Sequence, residues 1–280
     1  MTESKGLGSK ILSIDRRILT LIGVVLILIP LVSPIGLPLP MNKYTVDVYE
    51  QIDSFPEDSV VLIDCQTGLG YWGAMGPPFQ AVLKHMLSKG FKIIGWSGGE
   101  EGPLMWWKVW ESLPENLVNQ YEYGVDWCYL GFITGEESAM MKAGEDLKSL
   151  VKEDYQGIPI DELPILENVN SVEDYDIVLY LTGSEAYRGM MYRIWGETFD
   201  ANLILIAQRA VIPVNMIDAG LIKGYIRGLN GAAEYEILSG TPGAATSQLD
   251  ALSVFFLYMM FLVVLGNIGF LMQKKEFEVK

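Results

Sequence analysis

Histidine and cysteine are almost absent from this chain of 280 residues, which has one His and two Cys. Zinc and other soft-metal sites need several such ligands together, so the composition excludes them. No G-x-S-x-G or H-E-x-x-H motif occurs. The one nucleophile–base pair to consider is Cys65 with His85, but a single histidine in mid-helix is more typical of a structural role. We therefore assign no catalytic residue.

The two cysteines, Cys65 and Cys128, lie in apolar, strand-like stretches. Residues on neighbouring parallel strands seldom have disulfide geometry, so buried free thiols are expected. A disulfide is the alternative if the domain faces an oxidising compartment.

Positive charge is also scarce, with 20 Lys and Arg against 35 Asp and Glu. Between Asn42 and Asp250 the ratio is 13 to 31, a surplus of 18 negative charges. Such a field repels nucleic acid and anionic lipid, and it favours cations, basic partners or simply solubility. We expect no nucleic-acid partner.

Two long uncharged runs, Ile18–Pro40 and Ala251–Met272, enclose this acidic part. About 20 apolar residues cross a bilayer as a helix. The first run predicts a helix from about Ser13 to Pro30–Val32 and then an extended exit, because prolines follow. A cleaved signal peptide is the alternative, although no small-x-small site is evident after Ser33.

Basic residues flank both runs on their outer sides, which predicts cytoplasmic termini and a lipid bilayer around both helices. They are Lys5, Lys10, Arg16, Arg17, Lys274, Lys275 and Lys280. The predicted organisation is a cytoplasmic tail (1–12), transmembrane helix 1 (13–34), an extracytoplasmic α/β domain (35–250), transmembrane helix 2 (251–273) and a second cytoplasmic tail (274–280).

The enclosed domain alternates short β-branched runs with helical stretches. This pattern predicts an α/β fold, a Rossmann-like three-layer sandwich with a mostly parallel sheet. The predicted strands are Val60–Cys65, Phe91–Trp96, Trp127–Ile133, Ile177–Leu181 and Leu203–Ala207. The predicted helices are Pro78–Lys89, Pro103–Leu113, 136–151, 185–195 and 219–238.

Three predicted strands are each followed by S/T-x-x-E, beginning at Ser97, Thr134 and Thr182. This spacing is that of the capping box, which satisfies free amides at a helix start. Right-handed crossovers would bring all three turns to one edge of the sheet.

We predict a ligand-binding edge there, which includes the glycine-rich turn after the first strand. Its candidate residues are Asp64, Thr67, Gly68, Gly70, Ser97, Glu100, Glu101, Thr134, Glu136, Thr182 and Ser184. The acids suit Ca²⁺ or Mg²⁺. Because capping accounts for several of them, we assign no metal, and the cofactor is unknown.

The same turn has the spacing G-x-G-x-x-G at Gly68, Gly70 and Gly73, so dinucleotide binding is an alternative. Two features oppose it. The helix is predicted to begin only at Pro77–Pro78, and no acid ends the second strand. We instead predict a loop with exposed Tyr71, Trp72 and Met75, which could dock on the membrane or on a neighbour.

Small residues recur every fourth position in the last predicted helix, at Gly220, Gly224, Gly228 and Ala232. Glycine costs a helix about 1 kcal/mol relative to alanine, so the stripe suggests a close backbone contact. That contact is with the sheet or with the same helix of another subunit.

The run from Asp218, DAGLIKGYIRGLNGAAEYE, resembles a signature of an uncharacterised prokaryotic membrane-protein family. Val82–Lys92, Tyr123–Gly131 and Asp154–Pro164 fit the same pattern, so the likeness covers most of Asn42–Leu238. The resemblance implies a two-span protein with a Rossmann-like domain. It implies no known reaction and no catalytic residue.

Three functions follow from these features. The first is a membrane-anchored oligomeric scaffold or interaction protein, which is supported by the paired spans, the small-residue stripe and the aromatic loop. The second is a sensor that binds a ligand or a divalent cation at the sheet edge. The third is a hydrolase or transferase that uses the same edge. The first two do not require enzymatic activity, and we expect none.

Overall fold

The computed structural model describes residues 6–208 and 214–278, which form two compact units. The described residues of 1–38 and 242–280 form a helical unit, and residues 39–241 form an α/β unit.

The helical unit contains α1 (Leu7–Leu12), α2 (Arg16–Val32) and the long α12 (Ala244–Glu278). Asp15 caps α2 by accepting a hydrogen bond from the Arg17 N–H. The chain is extended after Val32, as the prolines predicted. Among the described residues, one helix, Ala244–Lys275, is long and apolar enough to cross a membrane, and only 6% of its most apolar stretch is buried. Two such helices were predicted, but α2 has only 17 residues.

Helices α1 and α2 pack along α12 through glycines. A β-carbon on Gly8 would overlap the backbone at Gln273, and one on Gly23 would lie 2.8 Å from the Tyr258 ring. The Tyr258 hydroxyl donates to the Leu19 carbonyl at 2.6 Å. Because small residues allow helices to approach closely in lipid, these contacts suit a membrane environment.

A buried carboxylate holds the extended segment after α2. Asp250 accepts hydrogen bonds from the backbone N–H groups of Ile35, Gly36 and Leu37 at 2.7, 2.8 and 3.0 Å. These bonds satisfy donors that no regular secondary structure would pair. The proline-rich exit is thereby tied to the start of the second apolar run.

The α/β unit has six strands and nine α-helices among its described residues. The strands are β1 (Val60–Gln66), β2 (Lys92–Ser97), β3 (Trp127–Phe132), β4 (Ile177–Thr182), β5 (Leu203–Ala207) and β6 (Gly224–Arg227). The helices are α3 (Lys43–Ser54), α4 (Trp72–Ser88), α5 (Gly102–Glu111), α6 (Glu115–Val118), α7 (Glu137–Glu145), α8 (Leu147–Leu150), α9 (Glu185–Met191), α10 (Val214–Asp218) and α11 (Gly228–Leu238). A π-helical turn, Tyr192–Thr198, continues α9.

The sheet is parallel throughout, in the order β3-β2-β1-β4-β5-β6. Helices cover both faces, so consecutive residues of a strand enter opposite cores: Ile93 packs in one core and Ile94 in the other. This burial explains the continuous apolar strands. The α/β, Rossmann-like prediction is confirmed. The strand order reverses direction between β1 and β4, which is where such sheets bind ligands.

The helix predicted over 219–238 is wrong. Gly220 lies in a turn with φ +75°, Gly224 begins β6, and only the part from Gly228 is helical. A β-carbon on Gly224 would lie 2.5 Å from Val48 of α3, so this glycine lets α3 pack on the strand. Ala232 is buried. The four small residues therefore share no helix face, and they cannot form the predicted small-residue contact between subunits.

The capping boxes are also wrong at the first two turns. The N-caps of α5 and α7 are Glu101 and Glu136, and neither helix start is capped by a side chain. The Ser97 hydroxyl bonds instead to the Tyr129 hydroxyl, 2.8 Å away. At the third turn, the Thr182 hydroxyl accepts from the Ser184 N–H at 3.0 Å. Two of the acids in these predicted boxes pair with arginines instead, Glu137 with Arg193 and Glu185 with Arg188.

Candidate functional site

An open cleft of about 700 Å³ lies at the carboxyl ends of β1 to β4. It is built from the turns that follow these four strands. The residues that line it are Gln66, Thr67, Gly68, Gly70, Tyr71, Gly98, Gly99, Glu100, Glu101, Phe132, Thr134, Gly135, Glu136, Ser184 and Tyr187. The cleft spans the switch point between β1 and β4, so the fold places it where ligands bind in open α/β sheets.

Eight of the eleven predicted ligand residues line this cleft: Thr67, Gly68, Gly70, Glu100, Glu101, Thr134, Glu136 and Ser184. The other three, Asp64, Ser97 and Thr182, are completely buried in their strands. The candidate residues did not include six others that line the cleft: Gln66, Gly98, Gly99, Phe132, Gly135 and Tyr187. A single signal was available for Gln66, because it directly follows the apolar run of the first strand.

The floor of the cleft contains polar atoms that lack hydrogen-bond partners. Gln66 is 3% exposed and Thr67 is 5% exposed. The Gln66 Nε2 donates to Asp64 Oδ1 at 3.0 Å. However, no described protein atom pairs with Gln66 Oε1 or Thr67 Oγ1. An unpaired buried polar atom costs about 1–3 kcal/mol, so two of them in one cleft need a physical explanation.

Below the cleft floor lies the Asp64 carboxyl, which is 0% exposed and does not line the cleft. Desolvation raises the pKa of this carboxyl well above the usual value, against smaller opposing effects of hydrogen bonds from the Gln66 amide and the Gly98 backbone N–H. A neutral carboxyl would be a hydrogen-bond donor as well as an acceptor. Asp64 therefore acts on the cleft through Gln66, whose amide it holds.

Glycines around the cleft make room for side chains rather than for phosphate. A β-carbon on Gly68 would overlap the Glu101 side chain, and one on Gly98 would overlap the Gln66 amide. Gly73, the third glycine of the motif, has open space around it. In a dinucleotide fold that position permits close helix–strand packing, and the first glycines face a pyrophosphate. A carboxylate against Gly68 opposes such an anion.

Helix α4 begins at Trp72, five residues before the predicted start at Pro77–Pro78. This placement removes one objection to the dinucleotide interpretation, but the Glu101 contact and the open Gly73 remain against it.

Tyr71 is 41% exposed and lies over Gly183, and Trp72 lies under the Lys108 ammonium, which is 4.0 Å from the centre of the ring. Only Tyr71 of this pair lines the cleft. The prediction that Met75 is exposed is wrong, because Met75 lies in α4 and packs in the core.

The rim is acidic. Glu100, Glu101 and Glu136 line it, and Glu136 has a φ of +45°, a strained backbone for a residue with a side chain. Among the described residues of the lining, none is Lys, Arg or His. Within the part of the chain that the structure describes, no three His, Cys, Asp or Glu side chains are grouped to hold a metal ion.

Cys65 and His85 do not form a catalytic pair. His85 Nδ1 hydrogen-bonds to the Tyr235 hydroxyl at 2.7 Å, and its Nε2 lies 3.7 Å from Asp53. The Cys65 thiol instead faces the Thr67 carbonyl at 3.9 Å, and burial raises its pKa to about 12. A thiol in this state is a poor nucleophile. Cys65 and Cys128 are both free and buried, as expected.

Comparison with known proteins gives no match: no family model, no curated protein and no solved structure is similar to this chain. The resemblance of the run from Asp218 to a prokaryotic membrane-protein family therefore stays a prediction.

Proposed function

We propose that this protein is a membrane-anchored binding module, whose α/β unit holds a small polar ligand in the cleft at the switch point of its sheet. The observation that carries the proposal is the pair of buried polar atoms on the cleft floor without protein partners, Gln66 Oε1 and Thr67 Oγ1. A ligand would complete their hydrogen bonds. The position at β1 and β4 supports it independently.

A scaffold is the weaker proposal, because one of its three supports, the small-residue helix stripe, does not exist as a helix face. A hydrolase or transferase is weaker too. The lining offers carboxylates but no histidine among its described residues, and the nearest thiol is buried and protonated.

The binding proposal predicts that filling the cleft abolishes ligand protection. Gly70 lines the cleft and has no atom within 4 Å of a β-carbon position, so Gly70→Leu adds bulk without a clash. We expect a small-molecule extract to raise the thermal unfolding midpoint of the purified full chain, but not that of Gly70→Leu. At a hundredfold excess over the Kd, a ligand adds about 2.7 kcal/mol.

Gly73→Leu is the matched control, because Gly73 has equally open surroundings but does not line the cleft. It should respond to the extract as the wild type does. Equal protection of all three proteins would place any ligand elsewhere and refute the binding proposal.

We further propose that α2 and α12 both cross the bilayer, with both termini cytoplasmic and the α/β unit outside the cell. The basic flanks favour this orientation, and the exposed apolar side chains of both helices favour lipid around them. Protease added to sealed, right-side-out vesicles should then digest the α/β unit. Its protection, while an exposed control protein is digested, would refute the orientation.

A further inference from the structure

The chemistry of the cleft also indicates which class of ligand it accepts. This inference rests on the proposed binding function and concerns the same site. Its first element is hydrogen-bond polarity. Gln66 Oε1 is a buried acceptor without a donor, and the Thr67 hydroxyl beside it also lacks a partner. An acceptor of this kind is satisfied by an N–H or O–H of the ligand, and not by an anion.

Charge is the second element. Three carboxylates, those of Glu100, Glu101 and Glu136, surround the opening, and no described residue of the lining has a basic side chain to neutralise them. Low-dielectric walls concentrate such a field and raise the local concentration of cations. The surplus of negative charge on the whole domain acts in the same direction.

Aromatic rings are the third element. Tyr71, Phe132 and Tyr187 line the cleft, and the first two are each 41% exposed. An organic cation is attracted electrostatically to the face of such a ring, and more strongly when it is desolvated. A hydrated metal ion makes poor use of such a surface.

From these elements we infer that the cleft binds an organic cation, a ligand with an ammonium or guanidinium group that donates to Gln66 and Thr67 while acids and aromatic rings surround its charge. A divalent metal ion would find oxygen ligands at the rim but no use for the rings. A neutral polyol would satisfy the acceptor but gain nothing from the carboxylates.

Matched probes test this inference on the full chain in detergent micelles. We expect 1,4-diaminobutane and agmatine to bind saturably in isothermal titration calorimetry, and 1,4-butanediol, which has the same carbon chain, to bind at least about tenfold more weakly because it lacks charge-assisted hydrogen bonds. Calcium chloride should not compete with diaminobutane beyond the effect of ionic strength.

Glu101→Gln should weaken diaminobutane binding about tenfold, since it removes a rim charge and leaves a side chain of equal size. Glu111→Gln is the control, because Glu111 is exposed at the other end of α5 and does not line the cleft. Butanediol that binds as well as the diamine, or a diamine that binds both variants equally, would overturn the inference. So would an absence of diamine binding.

If the diamine does not bind, the proposed binding function can still be tested separately with the extract. If an extract still protects the wild type and not Gly70→Leu, the cleft binds a ligand of another class. If the extract also fails, the proposed function fails with it.

Discussion

Gly95→Val is expected to lower the free energy of unfolding of the α/β unit by about 3 kcal/mol or more. Gly95 lies in β2, and a β-carbon there would overlap the ring of Trp106. That ring cannot move aside, because it stacks on Tyr129 at 4.8 Å and on Trp110 at 6.0 Å and is 1% exposed. Overpacking a rigid core usually costs 1–3 kcal/mol, and a β-branched side chain against a locked ring belongs at the upper end.

Urea unfolding of the full chain in detergent, followed by tryptophan fluorescence, measures this loss. Gly73→Ala is the matched control, since its β-carbon would meet no atom within 4 Å. It should unfold at the wild-type midpoint or above, because alanine is favoured in helices. A Gly95→Val protein with an unchanged midpoint would show that Trp106 does not occupy the space above Gly95.

Asp64→Asn is expected to change how stability depends on pH. Burial raises the pKa of the Asp64 carboxyl in the folded state, so the folded protein retains a proton that the unfolded chain releases above about pH 4. The stability that this group contributes is present below its unfolded pKa. It is lost as pH rises towards the folded pKa, by at most about 1.4 kcal/mol per pH unit.

Asparagine carries no proton to lose, so the stability of Asp64→Asn relative to the wild type should increase from pH 5 to pH 8. The urea midpoints of both proteins at pH 5 and pH 8 show how their relative stability changes with pH. Asp47→Asn is the matched control for the substitution itself, because Asp47 is exposed on α3. The same relative stability of Asp64→Asn at pH 5 and pH 8 would contradict a buried carboxyl with a raised pKa.

The strands could be predicted because burial on both faces leaves a signal that needs no partner, a continuous apolar run. Strand β6 lacks that signal. It has only four residues, and they lie in a glycine-rich run whose spacing is also typical of a helix. The strand fits here because Val48 of α3 packs into the space that a side chain on Gly224 would occupy. That contact joins residues far apart in sequence, which a local pattern cannot show.

The capping prediction at Ser97 failed for the same reason. The Ser97 hydroxyl has the spacing of a cap, but a buried hydroxyl on the neighbouring strand, Tyr129, is its partner. The start of α4 also precedes its prolines, and the Trp72 ring packs over Gly76 one turn later, 2.8 Å from where a β-carbon would lie. The cleft itself could be predicted, since parallel strands bring their following turns to one edge.

Hydrogen–deuterium exchange of the full chain in detergent, with and without saturating 1,4-diaminobutane, tests the central claim most directly. A ligand on the floor of the cleft should slow exchange in the turns after β1 and β2, residues 66–71 and 98–102, because ligand binding suppresses the local openings that exchange needs. Residues 160–167, which line a separate cavity, should exchange at the same rate in both states. Unchanged exchange in both turns, under conditions where calorimetry shows the diamine bound, would contradict a ligand site at the end of β1.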